Sequence, residues 1–414
     1  MAETARRATA DSRLPQERAA GLRAALAVQW PVLAEFVVIF LGSTLPTPLY
    51  VIWRQSFHFS EIVLTLIYAA YAGGTLLTLV TLGKLSDLVG RRPVSLAGLA
   101  VAAASTAVFI AASNITMLFV ARTLSGISIG LAAGAGTAWI AELDPAADRP
   151  RATSLTVAAN FIGLALGPLS AGLLASFVPW PLTLCFVLFL LPLALGGAVV
   201  FGARETVAGQ GRAIDWAAIR PRFGVPREVA PQFVAPAATA FGIFTMLGFY
   251  AALTPGVLAR SLHVTSPAVA GAVVAEAFAV AAVATIASAR LKSRDAMLGG
   301  LGVLLAALAL LVAAELLPSL IVLLVATAVV GVAAGLGYRG SLQVVNQIAP
   351  EERRAEVVST YLLACYFSIS LPVIGVGVLG ALASPIVADL VLAGVVGLIA
   401  IAALAAGMRY APRE

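Results

Sequence analysis

Four ionisable side chains stand in sequence that is otherwise almost wholly apolar, and they are the first candidates for chemistry. Glu35 lies in VLAEFVVIF and Glu276 in AVVAEAFAV, while Arg122 lies in LFVARTLSG and Arg339 in GLGYRGS. A charge near a bilayer centre costs about 2.5–3.5 kcal/mol on insertion scales, so each one needs a partner or a function. A carboxyl among Ala and Val has its charged form disfavoured. It can therefore take up a proton on one side of a membrane and release it on the other. Glu35 and Glu276 are candidate proton carriers on this ground. The structural alternatives are a permanent ion pair for Glu276 and a carboxylate reaching back to water for Glu35. For Arg122 the structural alternative is a tie between the helix that carries it and the first helix. Arg339 is the candidate partner of an anionic substrate group. Glu315 and Asp389, near predicted helix ends, read as solvated.

A second concentration of charge is GKLSDLVGRRPV, Gly83 to Val94, with Lys84, Asp87, Arg91 and Arg92 between two apolar stretches. Gly83 and Gly90 let the backbone bend sharply, and Pro93 suits the first turn of a following helix. Asp87 can accept from a helix N-terminus, and the two arginines can pair with carboxylates or helix C-termini. Such a turn can latch two halves of a membrane protein together and release them.

The elements that position these residues follow from composition. The 414 residues are 61% hydrophobic and only 11% charged, against about 25% charged in soluble domains. Apolar runs of about 20 residues are the length of a membrane-crossing helix, and lipid-embedded backbone must satisfy its own hydrogen bonds. The fold class is an all-α polytopic membrane protein. Predicted helices cover about 30–53, 61–82, 93–112, 115–141, 152–178 and 181–201, then 232–260, 267–289, 296–317, 319–348, 354–383 and 384–408. The first is broken near its end by Pro46 and Pro48. The domains are a mobile N-terminal tail, 1–28; a six-helix bundle, 29–201; a linker, 202–231; a second six-helix bundle, 232–408; and a short tail, 409–414. Within the linker, IDWAAIR reads as a short interfacial helix.

The net charge of +6 is a topology signal. Apart from Arg54, Arg122, Arg260 and Arg339, every Lys and Arg falls in the termini or in loops on one side. Positive residues stay inside, so both termini and the turn at Gly83 are expected in the cytoplasm. That distribution also argues against a nucleic-acid partner. Two cysteines in apolar runs and two histidines make no disulfide framework and no metal site. No phosphate cradle, zinc motif or catalytic constellation is present, so neither an enzyme nor a cofactor is expected.

The halves share a trace of repetition. TPLYVIWRQSFHFS after the first helix is similar to TPGVLARSLHVTS after the seventh, and an offset of 203 places Arg91 on Arg294 and Arg151 on Arg354. The position equivalent to Asp87 is Arg290, so that acid is missing from the second half.

Three stretches resemble motifs of the major facilitator superfamily. Gly83, Leu85, Asp87, Gly90, Arg91 and Arg92 match its G-x-L-x-D-x-x-G-R-R/K-x signature between helices 2 and 3. Leu118, Arg122 and Gly126 resemble the L-x-x-x-R-x-x-x-G motif of its drug–proton antiporters, with Ser125 where a glutamine is usual. Gly163, Gly167, Pro168 and Gly172 resemble the helix 5 motif G-x-x-x-G-P-x-x-G-G, with Ala171 replacing one glycine. Gly163, Gly167 and Ala171 share one face and permit close helix approach, while Pro168 kinks the helix.

The resemblance implies twelve helices in two pseudo-symmetric bundles that alternate access. It implies a latch of Gly83, Asp87, Gly90, Arg91, Arg92 and Glu142, and a part for Arg122 in proton coupling with Glu35 or Glu276. The substrate is expected to be amphipathic or lipophilic, exported by a monomer in the bacterial inner membrane. Tyr68, Tyr71, Asn160, Phe161, Phe244, Tyr250, Arg339 and Tyr361 are the candidate contacts. The alternatives are a proton symporter importing a metabolite or organic anion, and a receptor that binds without transport.

Overall fold

The structure is a computed structural model describing residues 2–207, 224–317 and 319–412, with side chains from Gly21 onward apart from Ala355. Among the described residues, twelve helices are long and apolar enough to cross a membrane. In the first half these are α1 (Ala2–Thr44), α2 (Glu61–Leu82), α3 (Arg91–Ile110), α4 (Ile115–Glu142), α5 (Arg149–Phe177) and α6 (Pro181–Phe201). In the second they are α7 (Ala230–Ser261), α8 (Pro267–Ala287), α9 (Ser293–Leu316), α10 (Leu320–Ile348), α11 (Arg354–Leu382) and α12 (Pro385–Tyr410).

Three boundaries differ from the sequence expectation. α1 begins at Ala2 and not near Trp30; the stretch before Trp30 is rich in the helix formers Ala and Arg, and the helix runs on through Pro15 and Gly21. The break at Pro46 is a 3₁₀ turn, Thr47–Leu49, after which a short helix, Tyr50–Phe57, completes the crossing. The turn after α2 holds a short helix of its own, Leu85–Val89, ended by Gly90 at φ 113°. That backbone is open to glycine and strained for other residues. The stretch 214–220, expected as an interfacial helix, lies outside the described residues.

Between helices in lipid, association rests on close packing and interhelical hydrogen bonds. The two halves use the same device. In the first, Gly126 and Gly130 of α4 lie against Tyr71 and Thr78 of α2, and the Thr75 hydroxyl donates to the Gly126 carbonyl at 3.0 Å. In the second, Gly331 and Gly335 of α10 lie against Ala277 and Ala281 of α8, and the Thr285 hydroxyl donates to the Gly335 carbonyl at 3.4 Å. The repeat extends to the helix ends. Arg92 donates to the Phe201 carbonyl ending α6 at 3.3 Å, as Arg294 does to the Met408 carbonyl near the end of α12 at 3.0 Å.

The halves meet along two seams, α5 with α8 and α2 with α11. Both tighten towards the end that carries His58. There Gly172 faces Gly271, Gly377 faces Thr65, the Ala268 N–H donates to the Ser176 hydroxyl at 2.9 Å, and Arg260 donates to Glu61 at 3.1 Å. At the opposite end, which carries the 83–90 turn, Gln343 donates across the seam to the Pro150 carbonyl at 3.2 Å.

Candidate functional site

Between the halves lies a cavity whose empty space, open solvent at its mouth included, is about 570 Å³. Each helix contributes a stripe at helical spacing: Phe40, Ser43 and Thr44 from α1, Tyr68 and Tyr71 from α2, and Phe244 and Leu247 from α7. α11 supplies Leu362, Cys365, Tyr366 and Ile369, α5 supplies Asn160 and Leu164, and single residues come from three more helices: Arg122, Phe278 and Tyr338. Rings of the two halves face each other here. Tyr71 and Tyr366 lie 6.4 Å apart edge to face, and Phe161 and Tyr338 lie 6.0 Å apart at 76°.

Arg122 is the one charged residue lining the cavity among the described residues. It is 2% exposed. Its Nη1 donates to the Ser43 carbonyl of α1 at 2.6 Å, and its guanidinium lies over the rings of Tyr71 and Tyr68, at 4.8 and 5.3 Å from their centroids. The Ser43 carbonyl is available because α1 stops at Thr44, so the last carbonyls of the helix lack intrahelical donors. Arg122 thus ties α4 to α1 and lines the cavity as well.

Of the expected contacts, Tyr68, Tyr71, Asn160 and Phe244 line the cavity. Phe161 stands just outside the lining, against Phe278 and Tyr338. Tyr361 lies behind Tyr338, its hydroxyl 2.6 Å from that of Ser341, and Tyr250 is buried in the core of the second half. Arg339 is bound elsewhere, donating to Ser288 at 3.1 Å, Gln343 at 3.0 Å and the Leu291 carbonyl at 3.3 Å. Neighbours on a helix point about 100° apart, so of Tyr338 and Arg339 one faces the cavity and the other does not. Tyr366 also reads as a cavity aromatic from the sequence and does line the cavity, whereas Leu362, Cys365 and Ile369, which complete its stripe, were missed although their 3–4-residue spacing was present in the sequence.

Neither candidate proton carrier lines the cavity. Glu35 is fully buried beside Ser95, and its two carboxyl oxygens have no hydrogen-bond partner among the described residues. Glu276 is half-buried with Oε2 unpartnered, and the described ion pairs do not include it. Glu315 and Asp389, expected in water, are 7% and 2% exposed. They are shielded because the two carboxyls lie together between α9 and α12, with Arg260 beside them.

The constellation around Arg91 is wired within the first half. Its guanidinium meets Asp87 at 2.5 Å, Glu142 at 2.7 Å and the Ser86 hydroxyl at 2.7 Å, and the Thr206 hydroxyl also reaches Glu142. Glu205, which the sequence reading missed, accepts the backbone N–H groups of Arg91 and Arg92 at 3.0 Å each. Here an acid from beyond α6 caps the N-terminus of α3, where the helix dipole favours negative charge. Burial pushes the Glu205 carboxyl up, but the N–H groups of Val207, Arg92, Arg91 and Thr206 outweigh it and hold the group below the usual carboxylate range.

Asp144 is a second node of this end. Its side chain is fully buried and accepts from Arg151 at 2.5 and 3.0 Å, from the Ala146 and Asp148 N–H groups, and from Gln29 at 3.4 Å. Burial pushes its carboxyl up, and the Arg151 and backbone hydrogen bonds outweigh that to hold it below the usual range. A depressed carboxylate contributes stability above its ordinary value near 3.9 and loses it as pH falls through the lower folded value. Asp144→Asn is therefore expected to cost about 1.5–3 kcal/mol at neutral pH. Thermal melts in detergent should show the wild type losing this advantage below about pH 4.

The Major Facilitator Superfamily model matches residues 33–372. The chain belongs to the major facilitator superfamily. The family is one of transporters and not of enzymes. Over 181 residues the chain is 33% identical to "Tetracycline resistance protein, class C" of Escherichia coli, covering 44% of this chain and 45% of that protein. Over 146 residues it is 27% identical to "Multidrug resistance protein 2" of Bacillus subtilis (strain 168), covering 35% of this chain and 36% of that one. The facilitator is matched over about a third to a half of the length of these curated relatives. In fold it is similar to a bacterial homolog of the human lysosomal transporter Spinster in an inward-facing, unoccupied conformation. That likeness has TM-score 0.73 and 17% identity over 94% of this chain and 99% of the other. The human organic anion transporter MFSD10 (TETRAN) is similar at TM-score 0.68 and 18% identity, over 92% and 99% of the two chains.

Proposed function

We propose that this facilitator exports an amphipathic or lipophilic compound in exchange for protons, by alternating access across a bacterial inner membrane with both termini in the cytoplasm. The observation that carries the reading is the cavity between the halves, walled by aromatic and aliphatic side chains around one arginine. Such a wall binds by area and ring contact and asks little of a substrate's hydrogen-bonding groups. The helix 5 glycines and the resistance proteins among the relatives support the outward direction. Glu35 and Glu276 remain the proposed proton carriers, each a buried or half-buried carboxyl with an unpartnered oxygen.

A second reading rests on Arg122. As the charge in the cavity it would attract an organic anion, and the facilitator would then import that anion together with protons.

Inside-out vesicles with an acidic interior and an internal pH dye distinguish the two. Export by antiport predicts proton loss from the interior on adding a lipophilic cation or an antibiotic, with Glu276→Gln or Glu35→Gln reducing the rate at least about tenfold. Proton loss only with an organic acid, accompanied by exit of that acid from loaded vesicles, establishes the symport reading and overturns export.

A further inference from the structure

At the His58 end, Arg260 of α7 is shared between the halves. Its Nη1 donates to Glu61 of α2 at 3.1 Å, and its Nη2 lies 3.8 Å from Asp389 of α12. Glu315 of α9 lies beside Asp389, both carboxyls buried between α9 and α12, and Asp389 Oδ2 has no hydrogen-bond donor among the described residues. A carboxylate only accepts, so two buried carboxyls that share a single arginine are placed to share a proton.

The other charged and titratable groups facing this cluster are few. Arg54, in the short helix after α1, stands 3.9 Å from Glu61. Tyr250 of α7 lies within electrostatic reach of Glu315 and of Glu276 of α8. His58 and His263 are exposed on the loops at this end.

We propose that Glu315 and Asp389 are a proton-binding carboxyl pair that sets whether Arg260 clasps Glu61, and so whether the two halves are closed at the His58 end. With one proton on the pair, Arg260 stands between two acids, as observed. Loss of that proton puts two negative charges beside Arg260 within its own half and draws it off Glu61. Full protonation removes the competing charge and leaves Glu61 as its partner. Acid on this side therefore closes this end. The clasp joins α2 to α7, at the same end as the Gly172–Gly271 and Ser176–Ala268 contacts, so its release loosens an interface already confined to small residues.

The test reads conformation with no substrate present, so it stands or falls apart from the export reading. The full chain carries Gln55→Cys in the first half and Thr265→Cys in the second, both exposed, with the buried Cys185 and Cys365 replaced by alanine. Spin-label distances in lipid nanodiscs are then followed from pH 5 to 9. The closed-to-open ratio is expected to rise as pH falls, by up to about tenfold per pH unit for one linked proton. Glu315→Gln with Asp389→Asn should be closed at every pH. Glu61→Gln, which leaves the buried pair intact, should be open at every pH and guards against the double variant failing to fold. A pH response that survives in Glu61→Gln, or closure that grows with rising pH, overturns the proposal.

Discussion

Arg122→Ala will leave the protein inserted and folded but will lower transport by about two orders of magnitude. The guanidinium donates a charge-assisted hydrogen bond to the Ser43 carbonyl and covers two tyrosine faces. Such a hydrogen bond is worth about 1.5–3 kcal/mol, and a desolvated cation–π contact about 2 kcal/mol. With both rings counted the sum is about 5.5–7 kcal/mol; each 1.4 kcal/mol is about tenfold in an equilibrium, so loss of half the sum is about a hundredfold or more. Arg122→Lys is the informative companion. A lysine keeps the charge but offers a single ammonium where the guanidinium is a planar fork. It can serve the carbonyl or the rings but not both, and should recover less than a tenth of the lost rate. Initial rates in vesicles, normalised to the amount of protein, decide the matter. Full recovery with lysine would reduce the role of Arg122 to charge alone.

Gly271→Val is expected to have the next largest effect, on closure at the His58 end. A Cβ on Gly271 would run into the Pro168 carbonyl and stand 3.1 Å from the Cα of Gly172; a Cβ on Gly172 would stand 2.5 Å from the Pro267 carbonyl. These neighbours are backbone and have no rotamer into which to retreat. Overpacking of this kind costs about 1–3 kcal/mol, and here the cost falls only on states in which α5 touches α8. The closed population should fall about ten- to a hundredfold. Cross-linking between Ser176→Cys and Ala268→Cys reads that population directly, and its rate should drop with transport. Gly302→Val, with nothing within 4 Å of its Cβ, serves as the control that should change neither. Unaltered cross-linking in Gly271→Val would show that the α5–α8 seam is looser than its backbone contacts indicate.

The helices and the two-half plan were legible because apolar length and charge position are local properties of the sequence. The 83–94 turn was legible for the same reason, with its acid, bases and glycines in a short run. What escaped were properties of tertiary contact. Glu205 gave no local sign that it would cap α3 from beyond α6. Asp389 and Glu315 sit at helix ends, where solvation is the default expectation, and their burial is visible only once α9 and α12 are packed together. The cavity divides in the same way. Tyr68 and Tyr71 were found as aromatics on one helix face. Tyr361 was named and Tyr338 and Cys365 were not, because helical phase decides which side chain faces inward and the packing of the helices sets that phase.

The placement of Arg122 bears on how a guest is held. A cationic compound entering the cavity would choose the faces of Tyr68 and Tyr71, and the chain's own guanidinium already lies on both. The guest meets a tethered competitor, whose effective concentration does not fall when the solution is diluted. Part of what each cation gains from the rings is given back in moving the arginine aside, while a neutral guest of the same shape can use the remaining walls without that exchange. For any such guest, the internal rival would compress the difference in affinity between charged and uncharged compounds.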